Sequence, residues 1–416
     1  VTLRTLTPQQ WKSGLAAWLG WLFDGLDMHL YTVVAPVFVA LLLGGIAPTD
    51  PLVKEKSAWI QAAFLVGWAL GGAFFGRVGD LLGRSRALSL TILTYALFTG
   101  LSSFAQTWWQ LLLFRFVAAL GIGGEWAVGS ALLSETWPRS WRGWIAAVLQ
   151  TGVNIGVLLA TLTTYLMAGQ ERWVFVVGIL PALLVFWIRK NVPEPDEWHA
   201  ARSVTEAPPL TALFRPPTLS VTLRTIAVCG ASLTGWWAFQ FWNLQYVRSL
   251  TEVVALEKAA VTQLASRLFA SIIGLSILGN FFAGWLARRF GYRVAIALML
   301  LGFALADLVA FALPRPLGQL LYLLPIVGFF SGVFALFTMY LPPLFPTLLR
   351  TSGAGFCYNI GRIVAATGTV IFFYAPVPDM RYALLGLSGL FALALLFALL
   401  LPDLRDDAGK VSGGAE

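Results

Sequence analysis

The chain has 416 residues, 58% of them hydrophobic and only 12% charged, with 18 Trp and 30 Phe. Water-soluble domains carry about 25% charged residues, so this composition excludes a soluble globular protein and indicates a polytopic membrane protein. The net charge of +8 on so apolar a chain reports loop topology, not nucleic-acid binding.

Cys229 and Cys357 both sit in apolar runs, and with only these two cysteines there is no disulfide framework and no zinc spacing. Two histidines, His29 and His199, do not build a metal site. Neither pairs with a candidate nucleophile, so the chain is not read as an enzyme. No cofactor and no obligatory protein partner is expected.

The first apolar run contains Trp18–Pro36, WLGWLFDGLDMHLYTVVAP. It is too long for a cleavable signal and lacks a small-residue cleavage site, so it reads as a membrane span. Asp24 and Asp27 lie roughly 18 and 22 Å beyond Lys12 at a helical rise, near the middle of a ~30 Å hydrocarbon core. A carboxylate there is costly unless paired, protonated or facing water, which makes both residues candidates for function. Asp24, Asp27 and Tyr31 share one helical stripe, and His29 points away as a packing residue. Two like charges this close are candidates to share one proton.

About twelve spans follow in order, beginning near Trp11, Ser57, Ala87, Trp108, Trp141, Trp173, Val221, Val261, Val294, Gly318, Thr351 and Tyr382. One long polar stretch interrupts them. The expected organisation is therefore a six-helix bundle over 1–190, a linker over 191–220, a second six-helix bundle over 221–402 and a polar tail over 403–416. Lys and Arg concentrate on the side that carries both ends and the linker. The positive-inside rule places that side in the cytoplasm.

The two halves repeat at an offset of 208 residues, which carries Gly76 onto Gly284, Gly83 onto Gly291, Pro138 onto Pro346 and Arg142 onto Arg350. Parallel repeats suit a transporter whose halves rock about a central site. The same offset carries Gln150 onto Tyr358 and Asn154 onto Arg362, and the deeper member of each pair lies ~18 Å past its loop arginine. An amide facing a guanidinium marks a central site. The guanidinium of Arg362, with Asn359 next to Tyr358, suits a carboxylate. Trp236, Gln240 and Asn243 of the seventh span lie on one helical face and suit a substrate with an apolar or ring body. In the fourth span Glu125 lies level with the aspartates, and GIGGEW also suits tight helix packing. Arg267 can snorkel to the membrane surface, and Asp307 is read as structural pairing.

The motif GRVGDLLGRSR after the second span, and GWLARRFGYR after the eighth, resemble the loop signature of the major facilitator superfamily. WLGWLFDGLDMHL, FRFVAALGIGGEWAVGSALLSETWP and IRKNVPEPDEW resemble its sialate, aromatic-acid and metabolite:proton symporters. The resemblance implies an all-α fold of about twelve transmembrane helices in two pseudo-symmetric six-helix bundles. It also implies uptake of a small organic anion driven by a proton gradient, across a bacterial inner membrane. Arg115 is implied to partner an acid of the first span. Asp80 and Arg84 then form a gate with Gly76, Gly83, Arg142 and Arg350. Arg288 stands where the second copy would have an acid, which weakens that half of the gate. The fifth span lacks the Gly-Pro pair of drug antiporters, which counts against export. A neutral sugar or polyol symporter, a facilitator and an exporter remain alternatives.

Overall fold

Helices begin within about two turns of every predicted span start in the computed structural model of the chain. The structure describes residues 6–48, 50–167, 170, 172–255, 258–374 and 380–403, and among them there is no strand. The first half holds α1 (Pro8–Leu42), α2 (Pro51–Leu82), α3 (Arg84–Ser102), α4 (Trp108–Thr136), α5 (Arg142–Leu166) and a 3₁₀ run Trp173–Ile179 that continues as α6 (Ala182–Asn191). After α7 (Asp196–Val204) come α8 (Leu219–Ser249), the short α9 (Thr251–Val254), α10 (Lys258–Phe290) and α11 (Tyr292–Phe311). The tenth span is broken at Ser331-Gly332 into α12 (Leu317–Phe330) and α13 (Val333–Tyr340), followed by α14 (Arg350–Tyr374) and α15 (Met380–Ala398).

Local chemistry sets several of these ends. A capping box starts α1, in which the Thr7 hydroxyl accepts from Gln10 N–H and the Gln10 side chain accepts from Thr7 N–H. The Asp50 carboxylate caps α2 just ahead of Pro51. Gly83 and Gly291, equivalent under the 208-residue offset, both turn the chain with positive φ, +103° and +85°. A side chain resists that conformation.

Among the described residues, seven helical runs are long and apolar enough to cross a membrane. Their outer faces leave Leu70, Phe74, Leu278 and Leu396 exposed, a surface suited to lipid. Inside, helices close to backbone contact through small residues. A β-carbon on Gly123 of α4 would stand 1.9 Å from the Trp68 carbonyl oxygen of α2.

The polar stretch between the halves differs from a plain surface linker. It folds into α7 and a 3₁₀ turn Leu210–Phe214, and α7 buries Trp198. The amphipathic spacing of a short segment is hard to see within so many Pro and charged residues. The expected tail lies outside the described residues beyond Asp403.

Candidate functional site

Asp27 of α1 points at α4. Its Oδ1 accepts from Arg115 Nη1 at 3.0 Å and from the Thr99 hydroxyl of α3, and Arg115 Nη2 donates to the Asp27 carbonyl at 3.3 Å. Both side chains are shut from solvent, 1% and 0% exposed. The Arg115 guanidinium also lies 4.8 Å from the Phe64 ring and within 6 Å of the Tyr31 and Phe175 rings. An ion pair this dry is held by geometry, because its desolvation nearly offsets its Coulomb gain.

Asp24 lies near Asp27 but takes other neighbours. It lies beside Glu125 of α4 and Arg362 of α14. The Tyr95 hydroxyl flanks Glu125. The carboxyl of Glu125 is wedged against α1, with Oε1 1.6 Å from where a β-carbon on Gly20 would stand. Residues three apart on a helix share a face, about 60° from each other, and α4 meets both acids, with Arg115 at Asp27 and Glu125 beside Asp24.

Arg362 is 3% exposed and sits at the junction of the two halves. Its Nη1 donates to Asn359 Oδ1, and its guanidinium lies 3.9 Å from the Trp68 ring of α2 and 5.0 Å from the Tyr358 ring. Its Nε finds no partner, and among the described residues no carboxylate approaches it within salt-bridge distance. Trp237 of α8 stands edge-on to Trp68 at 5.6 Å. Trp126 of α4 stacks flat on Tyr358, with ring centroids 3.7 Å apart and planes 4° apart. Asn154 of α5 donates to Ser276 of α10 at 3.1 Å, again across the halves.

The other expected residues are placed less centrally. Trp236 packs with Phe239, Phe303 and Phe334 inside the second half. The tryptophan of that helix facing Arg362's aromatic wall is its neighbour Trp237, a 100° turn away. Asn243 is spent on its own helix, donating to the Phe239 carbonyl, and Gln240 Oε1 is buried without a partner. Gln150 is half-buried on α5, and Tyr31 donates to the Ser57 carbonyl at 3.3 Å. His29 bonds to the Gly25 carbonyl of its own helix at 3.0 Å, as a packing residue should. Arg267 is exposed, as snorkelling requires. Asp307 is buried in α11 with no ion-pair partner among the described residues, so the pairing expected of it is not seen.

At the end that carries the linker, charges tie the halves together. Asp80 accepts from the Thr351 and Ser352 N–H groups at 3.2 and 3.0 Å and from the Ser352 hydroxyl at 2.6 Å. Those N–H groups are the unsatisfied start of α14, where the helix dipole favours an anion. Arg84 bonds Glu135 at 2.8 Å, Asp80 at 3.3 Å and the Thr347 carbonyl at 2.6 Å. Arg350 bridges Glu135 at 3.1 Å and Glu197 of α7 at 2.8 Å. Trp198 of α7 donates to the Asp80 carbonyl at 3.1 Å, and Glu194 accepts from the Ser85 and Arg86 N–H groups that open α3. Gly76 and Gly83 let these chains close up, the first against Thr351 and Ser352 and the second against Glu194.

Arg350 crosses the halves, and Arg142 donates to the Ser134 carbonyl of α4. Arg288, where an acid was expected, lies 5.5 Å from the Trp144 ring of α5 and so makes an aromatic contact across the halves instead of a charged one. Sequence reasoning missed Thr99, Trp68, Trp126, Trp237, Glu135 and Glu197. Glu135 had one signal, an acid next to the Pro138 anchor at the end of the fourth span. The tryptophans had none, among 18 in an apolar chain.

Buried charges wrapped in lipid-facing helices, with a seal across two repeats, define a membrane transporter. A family model described as sugar (and other) transporter matches residues 17–208. A probable 4-methylmuconolactone transporter of Cupriavidus pinatubonensis is 32% identical over 99% of this chain and 94% of its own length. A sialic acid transporter of Escherichia coli is 29% identical over 96% of this chain and 94% of its own. The solved structure of a proton:xylose symporter superposes with a TM-score of 0.74 over 96% of this chain and 97% of that one, at 17% identity, a likeness of fold alone. The chain belongs to the major facilitator superfamily of membrane transporters.

Proposed function

We propose that the protein is a proton-coupled symporter that imports a small organic anion, a carboxylate, by alternating access. It would sit in a bacterial cytoplasmic membrane with both chain ends and α7 in the cytoplasm. The observation that carries this reading is Arg362: a buried guanidinium with an unpartnered Nε, no carboxylate at salt-bridge distance among the described residues, and aromatic rings on its flanks. Such a group, with Asp24 nearby but outside ion-pair contact, has room for an anion at its fork, and planar rings beside it suit an acid with an apolar or conjugated body. Two relatives named for a muconolactone and for sialic acid support the same class. Asp27, held by Arg115 and Thr99, is the proposed proton carrier, with Asp24 and Glu125 as a second carboxyl pair beside the anion.

The test is a thermal-unfolding screen of purified protein against benzoate, sialic acid, nicotinic acid, their neutral esters or amides, and xylose. A ligand at 100 times its Kd adds about 2.7 kcal/mol to the folded state. At least one acid is expected to raise the unfolding temperature while its neutral analogue does not. Uptake of that acid into liposomes should then collapse with a protonophore. Stabilisation by xylose and by none of the acids would replace this reading with the neutral-solute symporter.

A further inference from the structure

The Trp126–Tyr358 stack lies in an informative place. Tyr358 is ~12 Å along α14 from Arg350, and Trp126 is ~14 Å along α4 from Glu135, at 1.5 Å per residue. Arg362 is ~18 Å from Arg350. Tyr358 and Trp21 therefore lie ~6 and ~4.5 Å on the linker side of Arg362 and Asp24, and Trp126 stands between their rings at the inner edge of the buried charges, next to Glu125. Four helices contribute to this cluster of rings. Trp21 of α1 stacks on Trp126 at 6.4 Å, and Phe337 of α13 meets the edge of Tyr358 at 6.2 Å. Trp21 and Trp126 belong to one half, Tyr358 and Phe337 to the other. Trp126 and Tyr358 are 6% and 5% exposed, so their parallel faces exclude water. Directly beside them the backbones nearly touch: a β-carbon on Gly355 would stand 2.7 Å from the Ala127 β-carbon and 2.4 Å from the Gly72 carbonyl oxygen.

We propose that Trp126 and Tyr358 are an inner gate, an apolar seal across the two halves that keeps the linker-side path shut above the charge network and parts when that side opens. This assigns Trp126 a role in transport that its sequence context does not show, and gives Tyr358 a second role beside that of flanking the anion. The two layers act differently. The charge network weakens with salt and with neutralising substitutions. A ring stack depends on area and on the aromatic contact, and neither is screened. The inference rests on alternating access and is independent of which solute is carried.

The experiment uses the full-length protein in liposomes, with Cys229 and Cys357 replaced by Ser and a single reporter, Ser130→Cys. Ser130 is buried on α4 one turn from Trp126, on the same helical face and toward the linker end. The probe is N-ethylmaleimide, and the rate of alkylation reports opening. Tyr358→Leu and Trp126→Leu are each expected to raise the rate about 2- to 10-fold, which is the ~0.5–1.5 kcal/mol an aromatic pair contributes beyond its area. The double variant should be little faster than either single one, because both remove one contact. Tyr358→Phe, which keeps the ring, should match the parent. A control reporter, Ser89→Cys in the core of the first half, should not change. Unchanged Ser130→Cys rates in both Leu variants overturn the gate, as do additive effects or an equal rise at Ser89→Cys, which would mark general loosening. If Ser130→Cys stays unlabelled even with Arg350→Ala opening the charge network, alternating access itself fails at this end, and the gate fails with it.

Discussion

Asp27→Asn isolates the buried pair on which the coupling reading depends. In the folded protein the Asp27 carboxylate and the Arg115 guanidinium are 3.0 Å apart and 1% and 0% exposed. Removing one partner of such a pair costs about 3–5 kcal/mol, because the other charge stays buried without compensation. Two features pull the value to the lower end. The amide oxygen still accepts from Arg115 and Thr99, and the Phe64 ring 4.8 Å away shields the cation. A loss of about 3 kcal/mol is therefore expected, read by thermal or denaturant unfolding in detergent. Asp27→Asn/Arg115→Gln removes both charges and should recover most of it. In liposomes the single variant should still exchange labelled for unlabelled substrate but should not accumulate it against a gradient, since an amide does not cycle a proton. If Asp27→Asn unfolds like the parent and the double variant is the less stable of the two, the pair is not an ion pair in the folded state. Undiminished proton-driven accumulation would remove Asp27 from the coupling path.

Two further outcomes follow from the same geometry. Arg362→Lys keeps a cation but loses the planar fork on the Trp68 face, so affinity for a carboxylate should fall by about 1.5–3 kcal/mol while a neutral ester loses little more; equal penalties for acid and ester in a binding titration would end the anion-clamp assignment. Asp80→Asn removes the charge that holds the Thr351 and Ser352 N–H groups of α14, so alkylation of a linker-side cysteine should quicken and that of one at the far end should slow. Rates that do not move at either end would leave Asp80 as a turn residue only.

The amino-acid sequence by itself determined the class, the spans and the repeat. Hydropathy over about twenty residues is a bulk property, and it survives any arrangement of the helices. Gly83 and Gly291 could be matched by offset alone, and the backbone there needs what only glycine supplies easily. That Asp24, Asp27, Arg115, Glu125 and Arg362 lie inside apolar spans was legible too, and all five are buried. Residue number says nothing of azimuth between helices, and that is where the tertiary structure decided. It sent Asp27 to Arg115 and Asp24 to Glu125, although the two acids are three residues apart. It chose Trp237 over Trp236 for the wall around Arg362, and drew Trp68 and Trp126 out of an aromatic background. It also brought Glu135 and Glu197 onto Arg350, tying the second half to α4 and α7. Each of these is a contact between residues distant in the chain, set by how helices rotate and pack against one another, and a single sequence carries no direct record of that rotation.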